Sequence, residues 1–173
     1  MQNYTSANTS INRTKLPAVY GKATITAPVV FDYGCGKYVD HIRAHLRETY
    51  GAVLLPFDPF NQPRDVNWES RRYVHGCIEY GIPVDVVCSN VLNVIDSDTS
   101  VRTIAWNIEN IVSKTGGTGY VTVYEGDRSG TGRVTGRDQF QRNAPLRDYL
   151  RFFHNAKIQN GMIVVGQNPT DQI

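Results

Sequence analysis

The sequence lacks several features that would assign it to a specialised class of protein. Its three cysteines, Cys35, Cys77 and Cys88, are far apart and form no CxxC pair, which argues against a disulfide scaffold and a zinc site. No stretch reaches the ~18 apolar residues of a membrane span, and the polar start of the chain lacks the apolar core of a signal peptide. We therefore expect a reduced, cytoplasmic protein with no membrane partner.

A dominant charge and a metal-ligand pattern are missing as well. The net charge is +2 in 173 residues, so any basic surface has to be local. His41 and His45 are one helical turn apart, but no HExxH-type partner accompanies them, and we expect no metal site. The remaining composition, 40% hydrophobic and 20% charged, is typical of a globular domain. We expect a flexible N-terminal arm over residues 1–12 and a single domain over residues 13–173.

Short apolar runs alternate with amphipathic segments along the chain. Helices are predicted over 38–50, 68–80, 97–113 and 145–154, and strands over 29–31, 52–57, 84–88, 119–124 and 161–166. Asp98 or Thr99 is expected to cap the third helix, and the Gly- and Arg-rich residues 126–142 are typical of a long loop. Fully apolar strands between helices predict an α/β fold, with a doubly wound, mostly parallel sheet flanked by helices.

The carboxyl end of the first strand carries the most informative residues. Phe31 is followed by the turn Asp32-Tyr33-Gly34-Cys35-Gly36, whose two glycines let the backbone approach a ligand closely. In such sheets ligands bind beyond the carboxyl ends of the strands, and the helix that follows offers free N–H groups. An acid at Asp32 would repel a pyrophosphate, so this position suits a cationic group such as an amine or a sulfonium.

The second strand ends at Asp58-Pro59. In nucleotide-binding folds an acid about 20 residues beyond a glycine turn accepts hydrogen bonds from ribose hydroxyls, and Asp58 stands in a comparable position. A plain turn at Asp58-Pro59 is the structural alternative. The dinucleotide pattern GxGxxG is incomplete, because Lys37-Tyr38-Val39 follows the second glycine.

These residues resemble those of class I S-adenosylmethionine-dependent methyltransferases. Asp32–Gly36 looks like their motif I, and Asp58 looks like their ribose-binding acid. More closely, residues 13–166 are similar to methyltransferases associated with DNA phosphorothioation, through the DYGCG turn, the VLNVI run at Val91–Ile95 and the segment 140–150. The resemblance implies a Rossmann-like methyltransferase fold and S-adenosylmethionine as cofactor, but no particular methyl acceptor.

The resemblance also implies site residues after three strands. The expected cofactor-binding residues are Asp32, Gly34, Cys35, Gly36, Tyr38, Asp58, Pro59, Ser89 and Asn90. Tyr38 replaces the third glycine of the motif and covers the methionine end of the cofactor or narrows the pocket. Asn90 and Asn93 are candidates to orient the methyl-accepting nucleophile, or are turn-forming asparagines. The (D/N/S)PP(Y/F) signature is absent. Residues 61–83 are the candidates for adenine contact, with Asn67 and Trp68 available for hydrogen bonding and stacking.

Residues 128–151 contain six arginines and two aspartates, interleaved with aromatic residues. Arginine binds phosphate through two parallel hydrogen bonds and aromatic rings stack on bases, so we expect nucleic acid or another anionic substrate here. The expected contacts are Arg128, Arg133, Arg137, Phe140 and Arg142. In the alternative interpretation Arg147 and Arg151 form a solvated helix face, with Tyr149, Leu150 and Phe153 in the core.

Three functions remain compatible with these residues. The first is an S-adenosylmethionine-dependent methyltransferase with an unidentified acceptor, for which nucleic acid is a candidate. The second is a non-catalytic nucleic-acid-binding module that retains the fold, which Tyr38 and the missing target-base signature favour. The third is a small-molecule methyltransferase, because 173 residues leave little room for a separate target-recognition domain.

Overall fold

A computed structural model describes Tyr4, residues 13–136 and residues 138–166. The predicted arm lies outside the described residues except for Tyr4, as do Arg137 and the end of the predicted domain. The helices are α1 (Asp40–Tyr50), α2 (Arg64–Tyr80) and α3 (Asp98–Thr115), with 3-10 helices at Ala18–Gly21, Leu92–Val94 and Leu146–Phe152. The strands are β1 (Val29–Tyr33), β2 (Val53–Phe57), β3 (Val84–Ser89), β4 (Gly119–Thr122), β5 (Arg133–Gly136), β6 (Gln139–Gln141), β7 (Ala156–Gln159) and β8 (Met162–Val165).

The main sheet has six strands in the order β2-β1-β3-β4-β8-β7. The first four strands of the chain pair in parallel, whereas β8 runs antiparallel to both β4 and β7. This confirms the predicted α/β fold with a mostly parallel sheet flanked by helices, an arrangement compatible with a Rossmann-like fold. Because β1 lies between β2 and β3, the strand order reverses at β1, which is where such sheets open a crevice for a ligand.

Apolar side chains on the two faces of the sheet form two cores. Phe31 and Val86 face the core that α2, α3 and the last 3-10 helix cover. Val30 and Val87 face the core that α1 and the segment around Ala18–Gly21 cover. Successive residues of a strand point to opposite faces, so burial on both faces explains why the parallel strands are continuous apolar runs.

The helix ends follow ordinary capping rules. The backbone of Gly116, after α3, has a φ of 78°, a left-handed conformation that glycine adopts without strain. The predicted cap of α3 at Asp98 or Thr99 is wrong, since Ser97 accepts a hydrogen bond from the Ser100 amide at 3.3 Å. The cap must precede the first helical residue, and Asp98 is already helical. No helix in the described part of the chain is both long and apolar enough to cross a membrane.

Most of the differences from prediction lie in the C-terminal third. Residues 126–142, predicted as a loop, include the antiparallel hairpin of β5 and β6. The predicted helix over 145–154 is a 3-10 helix over Leu146–Phe152. Strand β7 was not predicted because it pairs with β8 alone at the sheet edge, and most of its residues are exposed. Helix α2 begins at Arg64, directly after a proline, rather than at residue 68.

Candidate functional site

A cavity of about 980 Å³ opens beyond the carboxyl ends of β1, β2 and β3, where the strand order reverses. Its volume is near the upper end of the roughly 300–1,000 Å³ that small-molecule sites occupy. The walls are residues 15–18, the turns after β1 and β2, the loop after β3, and the β5–β6 hairpin. This is the position at which a parallel α/β sheet binds its ligand.

The cavity brings together most of the residues predicted to be functional. Every predicted cofactor-binding residue lines it: Asp32, Gly34, Cys35, Gly36, Tyr38, Asp58, Pro59, Ser89 and Asn90. Asn93, Arg133 and Phe140 also line it, whereas Arg128 and Arg142 do not. Arg137 lies outside the described residues. The shared cavity establishes placement, and the roles of these residues stay predictions.

The glycine turn after β1 is tied to both neighbouring strand ends. The amide of Gly34 donates to the Phe57 carbonyl at 2.6 Å, which joins the turn to the end of β2. A Cβ at Gly34 would lie 2.2 Å from Cγ2 of Val91 in the loop after β3, and the backbone there has a φ of 87°. Only glycine accommodates both this close approach and this conformation without strain.

Asp32 is held at the base of the cavity by a buried tyrosine. The Tyr20 hydroxyl donates to Oδ2 of Asp32 at 2.6 Å, and the two side chains are 1% and 2% exposed. Burial raises the pKa of Asp32 to about 7; the hydrogen bond from Tyr20 lowers this pKa, and the charge of Asp58 raises it. A buried carboxyl of this kind binds a cation well, because a cation offsets the cost of its ionisation.

Asp58 organises the turn after β2. Its Oδ1 accepts from the amides of Phe60 and Asn61 at 2.9 and 3.0 Å. Its Oδ2 accepts from the Gly36 amide and from Nδ2 of Asn61, each at 3.0 Å. The carboxylate therefore joins the turns after β1 and β2. Each oxygen of the carboxylate already accepts two hydrogen bonds. No acceptor position is therefore free for the hydrogen bonds from a sugar diol that were predicted for Asp58.

The candidate adenine contacts have other roles. Oδ1 of Asn67 accepts from the Asp58 amide at 2.8 Å and its Nδ2 donates to the Asp58 carbonyl at 2.9 Å, so Asn67 fixes the main chain. Trp68 is 59% exposed, and neither side chain lines the cavity. Phe60 and Asn61 line it instead. Asn61 is the first residue of the predicted range 61–83, and Phe60 directly precedes that range.

Tyr38 forms part of the wall. The Arg13 guanidinium lies 5.0 Å and the Lys37 ammonium 5.7 Å from the centre of its ring, and such cation–π contacts are worth roughly 0.5–1 kcal/mol each. His41 also lines the cavity, and neither of its buried ring nitrogens has a hydrogen-bond partner among the described residues. Tyr38 and His41 thus line the cavity without filling it.

The two asparagines predicted to orient a nucleophile differ in their surroundings. Asn93 is 2% exposed, and its Nδ2 donates to Oε1 of Gln141 at 3.1 Å. Nε2 of Gln141 donates in turn to the Tyr124 carbonyl at 2.9 Å, so Asn93 attaches the hairpin to the loop after β3. Asn90 is exposed and left-handed, with a φ of 57°, as the alternative of a turn-forming asparagine also expects.

Arg142 does not match its predicted role in binding substrate. Its Nε donates to the Ile95 carbonyl and one terminal nitrogen donates to the Asp96 carbonyl at 3.1 Å. The other terminal nitrogen pairs with Asp98 at 2.7 Å, and the side chain is only 12% exposed. The guanidinium thus donates to groups of the protein itself, and these hydrogen bonds connect the end of the hairpin to the start of α3.

Arg128 and Arg133 have acidic neighbours, Glu125 and Asp127, that lie outside the predicted basic segment. Arg128 pairs with Glu125 at 2.6 Å. Hydrogen bonds from Ser129 lower the pKa of Asp127, and the charge of Arg133 adds to this effect. Part of the positive charge counted along the sequence is therefore offset in space.

The alternative interpretation of the last helical segment is confirmed. The side chains of Arg147 and Arg151 are 80% and 60% exposed, whereas Tyr149 is 1% exposed and belongs to the core.

Burial raises the pKa of the thiols of Cys35 and Cys88, so neither is a reactive thiolate.

No family model, curated protein or solved structure matches this chain.

Proposed function

We propose that the protein is an S-adenosylmethionine-dependent methyltransferase. The observation that carries this proposal is the convergence of Asp32, the Gly34–Gly36 turn and the Asp58 turn on one cavity at the strand-order reversal. A ligand in this cavity contacts the buried carboxyl of Asp32, and the glycines of the turn let the backbone come close to the ligand. These surroundings suit a molecule with a cationic end and a nucleoside end. The volume of about 980 Å³ also accommodates a second, methyl-accepting molecule.

The cavity residues would hold the methionine end and the ribose of S-adenosylmethionine at two different turns. S-adenosylmethionine supplies a methyl group activated on a sulfonium sulfur. Asp32 would hold the amino group of its methionine end, with Tyr20 keeping the carboxyl in place. The turn after β2, which Asp58 organises, would hold the ribose. Methyl transfer from a sulfonium to a good nucleophile would depend mainly on the proximity of the acceptor.

The charge pairing in the hairpin favours a small-molecule acceptor over nucleic acid. Nucleic-acid binding depends on arginines and lysines that neutralise phosphates, but Arg128 and Arg142 are already paired with Glu125 and Asp98. Incubation with labelled S-adenosylmethionine and either duplex DNA, RNA or a protein-free pool of small metabolites separates these acceptors. We expect label in the small-molecule fraction, and label in DNA or RNA alone would contradict this part of the proposal.

Calorimetry with S-adenosylhomocysteine tests the cofactor site directly. We expect the wild-type protein to bind it and Asp32→Asn to weaken binding about ten-fold or more, because the amide cannot balance the amino group. Asp40→Asn is the matched control, since the Asp40 side chain is 98% exposed at the start of α1, and its affinity should equal that of the wild type. Absence of wild-type binding would overturn the proposal, as would equal affinities of Asp32→Asn and the wild type.

A further inference from the structure

The carboxylate of Asp58 has no capacity left for a ligand. A carboxylate offers about four acceptor positions. The backbone amides of Gly36, Phe60 and Asn61 and the side-chain amide of Asn61 fill four of them, at 2.9 to 3.0 Å. The three backbone groups can only donate, so their hydrogen bonds do not depend on how any side-chain amide is oriented.

Asn61 is oriented by this carboxylate. An ionised carboxylate can only accept, so Nδ2 of Asn61 must face Oδ2 of Asp58, at 3.0 Å, and Oδ1 of Asn61 must point away from it. Asn61 is half-buried and lines the cavity. The arrangement leaves one acceptor, Oδ1 of Asn61, fixed beside the turn at which a ribose is expected.

Asp58 in turn acts on the backbone. It fixes the amide of Gly36, while Nε2 of Gln62 donates to the Gly36 carbonyl at 2.6 Å. Both polar groups of this glycine are thereby held by the turn after β2. Loss of the Asp58 carboxylate would loosen the glycine turn as a whole rather than remove a contact with one group of a ligand.

We propose that Oδ1 of Asn61 accepts the hydrogen bond from a ribose hydroxyl of the cofactor, and that Asp58 is a positioning residue. This inference rests on the proposed function and reassigns one contact within it, which the resemblance to class I methyltransferases gives to Asp58. A sugar hydroxyl donates to an amide oxygen as well as to a carboxylate oxygen, although the bond to a neutral acceptor is weaker.

Analogues of S-adenosylhomocysteine that lack the 2′- or the 3′-hydroxyl test the assignment by calorimetry. For the wild type we expect at least one deoxy analogue to bind about three- to ten-fold more weakly than the parent, the range for one neutral hydrogen bond. Asn61→Ala should weaken the parent by a similar factor and abolish the difference between parent and analogue. Asp58→Asn should weaken the parent and both analogues, because the glycine turn loosens, and should reduce the difference between parent and analogue only in part, because Asn61 keeps its oxygen but is no longer held in one orientation.

The same ratios distinguish the alternatives. Asn155→Ala, an exposed asparagine after the last 3-10 helix, is the control and should retain the wild-type pattern. A difference that persists in Asn61→Ala and vanishes in Asp58→Asn would return the ribose contact to Asp58, and wild-type protein that does not distinguish the ligands would also overturn the inference. If Asp58→Asn does not fold, Asn61→Ala decides alone. Failure to bind the parent compound would overturn the proposed function itself, whereas binding with the wrong ratios overturns only this inference.

Discussion

At the scale of single residues, Asp32 is the group whose chemistry depends most on the fold. It lies two residues before a glycine turn, yet its environment is set by Tyr20, which is 12 residues earlier in the chain, and by Asp58 in the next turn. Burial raises its pKa from 3.8 to about 7. Near neutral pH the carboxyl is thus divided between its protonated and ionised forms, and a bound cation would favour the ionised form.

The raised pKa of Asp32 predicts a pH dependence of stability. Between pH 4 and pH 7 the folded protein keeps a proton that the unfolded chain releases, so the contribution of Asp32 to the free energy of unfolding falls as the pH rises through this window. Urea unfolding of the wild type and of Asp32→Asn at several pH values measures this contribution. The difference between the two unfolding free energies should change between about pH 4 and pH 7 and level off above about pH 8.

Binding of S-adenosylhomocysteine should have the opposite pH trend, because ionised Asp32 attracts the amino group. Affinity should therefore increase as the pH rises through about 7. Asp40→Asn again provides the control. This variant loses only an exposed carboxylate, so the pH dependence of its unfolding free energy and of its affinity for S-adenosylhomocysteine should match that of the wild type. A wild-type unfolding free energy that differs from that of Asp32→Asn by the same amount at every pH would contradict the buried-carboxyl interpretation.

At the scale of elements, the hairpin is attached to the sheet by side-chain hydrogen bonds and by a backbone hydrogen bond from the Arg142 amide to the Asn93 carbonyl at 2.8 Å, rather than by strand pairing. The β5–β6 hairpin forms its own two-stranded sheet. The side chain of Gln141 forms hydrogen bonds with Asn93 and with the Tyr124 carbonyl. The side chain of Arg142 donates to the carbonyls of Ile95 and Asp96 and to the carboxylate of Asp98 at the start of α3. The hairpin wall of the cavity therefore depends on a few polar contacts.

Arg142→Gln should release this wall. Two backbone carbonyls lose their donor and Asp98 keeps only its pairing with Arg151, and a buried polar group without a partner costs about 1–3 kcal/mol. We expect a loss of about 2 kcal/mol in the free energy of unfolding and faster hydrogen exchange in β6. The control is Arg147→Gln, whose side chain is 80% exposed and 3.8 Å from its partner and whose effect should stay within about 0.5 kcal/mol. Equal effects of the two variants would refute the fastening role.

The same contrast explains which elements could be predicted from the sequence. Strands β1 to β4 are buried between helices, so each is an apolar run, and α1 to α3 are amphipathic with one buried side. The hairpin and β7 have no such pattern, because they are largely exposed and are held by contacts with residues distant in sequence. The residues expected to bind a cofactor could be placed around one cavity from the sequence, since they directly follow strands. Tyr20 was missed because only the tertiary fold brings it to Asp32, and the pairing of Arg142 was missed for the same reason.

At the scale of the whole molecule, the cavity connects parts of the chain that no single element joins. Its walls come from residues 15–18, from three strand ends and from the hairpin, and these parts belong to both faces of the sheet. Unfolding of any wall removes the site. A ligand that contacts several walls therefore stabilises the entire fold in proportion to the logarithm of its concentration.

This coupling predicts a thermal shift on binding. S-adenosylhomocysteine at 100 times its dissociation constant should add about 2.7 kcal/mol to the free energy of unfolding, which corresponds to a rise in Tm of about 5–10 °C for a chain of this size. Thermal unfolding followed by circular dichroism over a range of ligand concentrations measures the shift. Homocysteine alone, which lacks the nucleoside that reaches the Asp58 turn, should give a smaller shift at equal concentration. A Tm that is independent of S-adenosylhomocysteine concentration would show that the folded protein does not bind this ligand, because any ligand that binds only the folded state must raise the Tm.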